Sequence, residues 1–257
     1  MTSSVHELAV TRDGSTLHMM LKRPAKSNAL SATLVEALIA TLSTAESDGT
    51  TLVTFKGEGA NFCSGFDLGD LEQQTDGDLL LKLVRIELLL QRIAHAPFVT
   101  LALAQGKVLG AGCDIFCACS ERIAEPDAVF RMPGWRFGIA LGTRRLVGRI
   151  GTDAARSVLA SSRMLKADEA LRMGLATATA RQEDWPSLLQ SIGEKVTMLE
   201  PVSQSMLLNL TATDTRAADL AALVESASRP GLKSRIEQYR RAERAARANA
   251  GIESKAM

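Results

Sequence analysis

Two apolar, strand-like runs, Thr51 to Lys56 and Phe98 to Ala104, each break into a glycine-bearing turn and then resume as helix-compatible sequence, and this repeat constrains the chain more than any other feature. The first turn reads Asn61-Phe62-Cys63-Ser64-Gly65-Phe66-Asp67-Leu68, and the second reads Gly106-Lys107-Val108-Leu109-Gly110-Ala111-Gly112-Cys113-Asp114. Short apolar runs bounded by turn residues read as buried strands, and glycine lets the backbone reverse sharply where they end. N–H groups at such a turn, or in the first turn of a helix, lack an internal acceptor and sit at the positive end of the helix dipole. Two of them aimed at one point would hold an anionic oxygen. Repeated β-then-α units with glycine at the strand ends imply a right-handed spiral of parallel or mixed sheet covered by helices, an α/β class.

The remaining segments fit around that repeat. Val5 to Val10 and Thr16 to Leu21 read as a hairpin turning at Asp13-Gly14. Ser31 can cap a helix in which Leu34, Leu38 and Leu42 recur at helical spacing. A polar stretch through Gly77 reads as a mobile rim, Leu79 to Ile93 as a buried helix, and Arg122 to Ala124 and Val129-Phe130 as short strands. Beyond Gly151 the pattern is helical almost throughout, over Asp153 to Leu159, Lys166 to Met173, Asp184 to Met198, Pro201 to Leu210, Ala217 to Ser228 and Leu232 to Ala248. A chain of 257 residues suits one α/β domain with a helical extension better than two independent domains. The expected organisation is a core over residues 1–190 and a helical region over 191–257.

Charge and composition exclude several function classes. A formal net charge of +1 leaves no footprint for nucleic acid, and the basic tail from Arg229 to Arg247 is interleaved with Glu237, Glu243 and apolar residues. No apolar run approaches the roughly 20 residues of a membrane helix, and Glu7 and Arg12 stand where a signal peptide needs an apolar core. The expectation is a cytoplasmic protein with no membrane partner. Three of the four cysteines, Cys113, Cys117 and Cys119, fall after the second turn among Ile115, Phe116 and Ala118 and, with Cys63, read as buried small hydrophobes. His6, His18 and His95 are scattered without ligand spacing, so neither a metal site nor a disulfide is expected.

With Arg23-Pro24-Ala25-Lys26-Ser27-Asn28-Ala29-Leu30 upstream, the two turns resemble the signature segments of the crotonase (enoyl-CoA hydratase/isomerase) superfamily through the first two thirds of the chain. The resemblance implies a repeated ββα spiral core with a C-terminal helical extension that forms trimers. It implies an acyl-CoA substrate, and no cofactor beyond the coenzyme A that the substrate carries. The thioester oxygen would be held by the backbone N–H groups of Phe66 and Ala111. Arg23, Lys26, Ser64, Asp67 and Leu68 would cradle coenzyme A, with Arg23 and Lys26 toward its phosphates. The C-terminal helices would build a homotrimer or a dimer of trimers and help complete the coenzyme pocket. Asp168 and Glu169 match a structural stretch of the family and read as helix-terminus charges.

Catalytic acids are where the chain departs from that pattern. Adding water across an activated double bond benefits from two carboxylates, one for the water and one for the α-carbon. The first family position is Asp114, an acid one methylene shorter than the usual glutamate, and a shift of about 1 Å can cost about a hundredfold in rate. The second is Gly134, within Met132-Pro133-Gly134-Trp135-Arg136-Phe137-Gly138, and carries no acid; the segment that follows, to Leu146, is also short. Asp114 is thus the expected single acid/base, against the alternative of a helix N-terminal anchor. Trp135 either lines the acyl pocket or simply packs. Arg136, Arg144 and Arg145 could meet an anionic group, although solvation or salt bridging accounts for at least two of them. Asp67 also reads as a brace for its own loop, and Asp70 and Glu72 are weaker alternative acids. The leading expectation is enoyl-CoA hydratase/isomerase chemistry. Decarboxylation or another single-acid conversion of a CoA thioester, a non-catalytic acyl-CoA-binding homologue and a helical interaction module stand as alternatives.

Overall fold

The computed structural model describes residues 3–5 and 7–253. His6, part of the first expected strand, lies outside the described residues. Strands β1 (Ser3–Val5), β2 (Leu8–Asp13) and β3 (Thr16–Leu21) pair antiparallel, with Asp13 opposite Thr16 across Gly14-Ser15. The expected strand from Val5 to Val10 is therefore displaced. Pairing runs on to Asp13 because the two-residue turn sets a register that buries Leu8, Leu17, Met19 and Leu21 together. Helix α1 (Ala32–Ala45) begins where Ser31 Oγ accepts the Leu34 N–H at 3.0 Å, and Leu34, Leu38 and Leu42 are fully buried.

Strand β4 (Leu52–Gly57) lies parallel to β3, and helix α2 (Asp76–Ala94) carries the chain to β5 (Val99–Ala104), parallel to β4. Thr75 and Asp78 form a reciprocal capping box at the start of α2. Gly77 is thus inside a helix and not on a mobile rim, and the polar stretch before it is anchored by buried Leu71. Next come β6 (Lys107–Leu109), α3 (Ala111–Ala118), β7 (Glu121–Ala124), β8 (Val129–Arg131), α4 (Thr143–Ile150) and α5 (Thr152–Ser161). The main sheet has the order β1-β2-β3-β4-β5-β7 and ends on β10 (Ala178–Thr179), while β8 pairs with β6 on one side and with β9 (Leu165–Lys166) on the other in a smaller second sheet. The central strands are apolar along most of their length because both faces are covered. One face packs in the main core with α1, α2 and α3. The other meets Trp185 and Val196 of α7 (Trp185–Val196). Between these, α6 (Ala167–Arg172) pairs Asp168 with Arg172 at 2.8 Å and Glu169 with Arg163 at 2.7 Å, as helix-terminus charges should.

Helices α8 (Pro201–Thr211), α9 (Arg216–Ala227) and α10 (Leu232–Glu253) complete the fold. The start of α10 is pinned from a distance: Asp76, the first residue of α2, accepts N–H bonds from Gly231, Leu232 and Lys233 at 2.8–3.1 Å. A second apolar cluster results, joining Leu71, Leu79 and Leu83 to Ile139, Leu223, Leu232 and Ile236. Helices α9 and α10 therefore close over the core of their own chain. Among the described residues no helix is long and apolar enough to cross a membrane.

Candidate active site

Where β4 and β5 end, the two glycine turns are laced together. Cys63 and Val108 form a parallel bridge, Cys63 N–H donates to Lys107 O at 3.2 Å, and Leu109 N–H donates to Cys63 O at 2.9 Å. Asn28 ties the upstream segment to the base of the first turn: its Oδ1 accepts the Arg23 N–H at 2.8 Å, and its Nδ2 donates to Glu58 O at 3.0 Å and Asn61 O at 2.8 Å. Gly65, at φ +90°, has no room for a side chain; a Cβ there would lie 2.6 Å from Leu109 O and 3.0 Å from Ala111 N. Glycine at this position is thus what lets the two turns touch.

That contact fixes the direction of two N–H groups. In a trans peptide the C=O and the following N–H point opposite ways. Gly65 O accepts the Leu30 N–H at 2.8 Å, so the Phe66 N–H faces away from that strand-like contact. Gly110 O accepts the Asp114 N–H at 3.1 Å inside α3, so the Ala111 N–H points out of the helix N-terminus. Phe66 N–H has no acceptor among the described residues, and Ala111, the first residue of α3, has none within its helix. Both residues line a cavity of about 300 Å³. Larger depressions, such as one of about 590 Å³ near Arg92, His95 and Arg216, lie elsewhere and hold no such donors.

Asp114 lines the same cavity and is 4% exposed. Its Oδ1 has no hydrogen-bond partner among the described residues. The carboxylate presses against Gly142, where a Cβ would fall 1.8 Å from Oδ1, so the shortened loop before α4 has closed onto the acid. Burial pushes the Asp114 carboxyl well above the usual range; Arg145 opposes this and Glu87 adds to it. The nearby charges are committed to one another. Arg145 pairs with Glu87 through both terminal nitrogens and reaches Asp219 at 3.6 Å, while Asp219 also takes Arg144 at 3.0 Å. Salt bridging thus accounts for Arg144 and Arg145, and Arg136 is exposed. Among the described residues that line the cavity, Asp114 is the one carboxylate and Arg131 the one cation. Gly134 lines it as well, with no acid, and Asp70 and Glu72 do not reach it.

The expected coenzyme-binding side chains divide. Ser64 and Leu68 line the cavity beside Phe66, and Lys26 is exposed with no ion pair among the described residues. Arg23 has partners within the chain: its guanidinium pairs with Glu7 Oε1 at 2.9 Å and Asp67 Oδ2 at 2.8 Å and also bonds Ala29 O, so it braces the loop. Asp67 accepts the Gly69 N–H at 2.9 Å and so also serves as a brace. Trp135 lines the cavity while 46% exposed, its Nε1 donating to Thr143 Oγ1 at 3.1 Å. All four cysteines are buried and unpaired, and burial raises each thiol.

Sequence reading missed the cavity's far wall. Leu83 of α2, Phe137, Ile139 and Leu141 of the shortened loop, and Ile236 and Tyr239 of α10 supply it. The i, i+3 spacing of Ile236 and Tyr239 was a usable signal of a buried helix face; which cavity they face was not.

Residues 11–228 match the enoyl-CoA hydratase/isomerase family. A crystal structure from Bordetella parapertussis, described as an enoyl-CoA hydratase/isomerase, is 48% identical, covers 91% of this chain and 98% of its own, and superposes with a TM-score of 0.89. A probable enoyl-CoA hydratase of Mycobacterium leprae is 30% identical over 204 residues, 76% of this chain and 78% of that protein. An ethylmalonyl-CoA decarboxylase of Gallus gallus is 31% identical over 137 residues, 50% of this chain and 44% of that protein. With a spiral α/β core, two laced glycine turns and a family match across most of its length, this chain belongs to the enoyl-CoA hydratase/isomerase (crotonase) superfamily.

Proposed function

We propose that this protein converts an acyl-CoA through a thioester enolate, with the carbonyl oxygen held between the N–H groups of Phe66 and Ala111 and with Asp114 as the single acid/base. The observation that carries the reading is that two outward-facing N–H groups and a single carboxyl group, that of buried Asp114, line one cavity. Within the family's two chemistries, a double-bond shift suits this arrangement better than hydration. Hydration wants a second carboxylate, and Gly134 occupies its place. A shift needs one: ionised Asp114 takes a Cα proton from a 3-enoyl thioester, the electron pair spreads onto the carbonyl oxygen, and the same proton returns at Cγ to give the 2-enoyl thioester. The paired N–H donors supply the larger stabilisation, because they are already aimed where negative charge develops. A carboxyl held well above its usual range is also a stronger base once ionised.

A second reading, decarboxylation, is favoured by the same burial, since protonated Asp114 could donate to the enolate left when CO2 departs and leaves its bonding electrons behind. Rate against pH separates the two. A base-initiated shift rises as pH climbs through the Asp114 pKa, whereas proton donation by the acid falls. The direct test is turnover of crotonyl-CoA, a longer 2-enoyl-CoA, a 3-enoyl-CoA and a malonyl-type CoA ester by the wild type and by Asp114→Asn. Turnover of the 3-enoyl ester that vanishes in the variant while CoA affinity holds is the expected result. Silence across the panel with CoA still bound would move the assignment to an acyl-CoA-binding protein. The exposed apolar residues of α8, Val202, Met206, Leu207 and Leu210 at 52–79% exposure, support association between copies of the chain, which the resemblance makes a homotrimer or a dimer of trimers and which light scattering would measure.

A further inference from the structure

Apart from Tyr239, the cavity wall beyond Asp114 is apolar: Leu83, Phe137, Ile139, Leu141 and Ile236. Its single cation is spent. Arg131 Nη1 and Nη2 each bond a Glu243 carboxylate oxygen at 2.8 Å, and Nε donates to Ser162 O at 2.7 Å, so every guanidinium nitrogen is engaged. The pair joins β8, on the cavity floor, to α10 above it. An acyl group that ends in a carboxylate would have to shed its water and find no unengaged cation in the cavity lining to replace it. We infer that the site takes an uncharged aliphatic acyl chain, and that the Arg131–Glu243 pair is the device that excludes acyl groups bearing a second carboxylate. This inference rests on the acyl-CoA reading above and sharpens it, and it weighs against malonyl-type substrates.

Volume sets the chain length. At roughly 30 Å³ for each water-sized group, 300 Å³ holds about ten such groups. The thioester carbonyl and sulfur occupy two to three of those places, which sets an upper limit of about seven to eight carbons on the chain, since Ser64 and Leu68 on the coenzyme side line the same cavity.

The experiment is equilibrium binding of free CoA and its butyryl, hexanoyl, octanoyl, dodecanoyl and succinyl esters to the full chain. Affinity should rise about fourfold per methylene from butyryl to octanoyl and then level off, with succinyl-CoA no tighter than butyryl-CoA. In Glu243→Gln the Arg131 charge loses its counter-ion, and succinyl-CoA affinity should gain about tenfold or more, the worth of a charge-assisted bond, while octanoyl-CoA stays within about twofold. Ile236→Trp, which fills the far wall without touching the charge pair, should weaken octanoyl-CoA more than butyryl-CoA. Wild-type succinyl-CoA binding as tight as octanoyl-CoA, a flat series, or an unmoved succinyl affinity in folded Glu243→Gln each overturns the inference while leaving the acyl-CoA reading intact. Failure of CoA and all its esters to bind overturns both.

Discussion

The two turns that meet at the cavity each carry an aspartate within three residues of the N–H donor, and the fold treats these acids in opposite ways. Asp67 follows Phe66. Partial burial raises its pKa, but the Gly69 N–H, the Arg23 guanidinium and Lys26 outweigh that and hold it below the ordinary carboxylate range. Asp114 follows Ala111 by three residues. Burial drives its pKa well above the ordinary range, Arg145 offsets this only in part, and Oδ1 is left without a partner. A carboxylate with its hydrogen bonds filled is architecture, whereas one kept buried and unfilled, on a residue that lines the same cavity as two outward-facing N–H groups, is the acid that the proposed function uses for proton transfer. The contrast matters because both turns look alike in sequence.

The largest effect expected is in Asp114→Asn. Turnover should fall by about 10² to 10⁴, CoA affinity should hold, and stability should not fall, because an amide of the same shape has no charge to desolvate. Turnover that survives would make Asp114 a packing residue and erase the contrast with Asp67. Next comes Glu87→Ala, which tests a third buried carboxylate, this one filled by Arg145. Leaving Arg145 with only Asp219 at 3.6 Å should cost about 3–5 kcal/mol in denaturant unfolding, far more than any loss of stability at Asp114. A similar tolerance in both variants would show that pairing does not divide structure from chemistry here. The third is Ala111→Pro. Proline is accepted at the first position of a helix and removes the N–H, and Gly110, at φ 51° and ψ −128°, stays out of the α region that a following proline disfavours. Losing one donor should lower turnover by about 10² to 10³ with free CoA still bound; an unchanged rate would release Ala111 from the oxyanion role.

Much of this was legible in the sequence for local reasons. Ser31 ahead of Leu34, Leu38 and Leu42 gives a capped amphipathic helix, and the observed α1 follows that pattern to within a residue. The two turns were visible because glycines at strand ends are read locally. What stayed hidden depends on contacts distant in sequence. The resemblance gives Arg23 a place near a phosphate by its position in the motif, but nothing local shows that Glu7 and Asp67, 16 and 44 residues away in sequence, also pair with it. Arg145 gave no sign that its partner was Glu87, 58 residues earlier. The far wall of the cavity needs α10 to fold back over the core, a placement set by Asp76 and by Arg240 donating to Leu68 O across 172 residues. Periodicity says that a helix buries one face, not which cavity that face will close.

The smallest effect, and the most pointed, is the pH dependence of stability at the two aspartates. Asp67 has a folded pKa below its ordinary 3.8, so the folded state binds its proton less readily than the unfolded chain. Its contribution is present above pH 3.8 and is lost as pH falls through the folded value. Asp114 has a folded pKa well above 3.8, so its contribution is present below pH 3.8 and is lost as pH rises through the folded value. At pH 7, Asp67→Asn should cost about 1 kcal/mol, since the site is partly exposed and Arg23 keeps Glu7. That cost should shrink on acidification below pH 3.8. Asp114→Asn should show no cost in acid and a growing advantage over the wild type as pH rises. Urea unfolding of the three proteins between pH 3 and pH 8 reads both slopes in one experiment. Slopes of the same sign would mean that the two turns hold their acids alike, and that the partnerless oxygen of Asp114 is satisfied in solution.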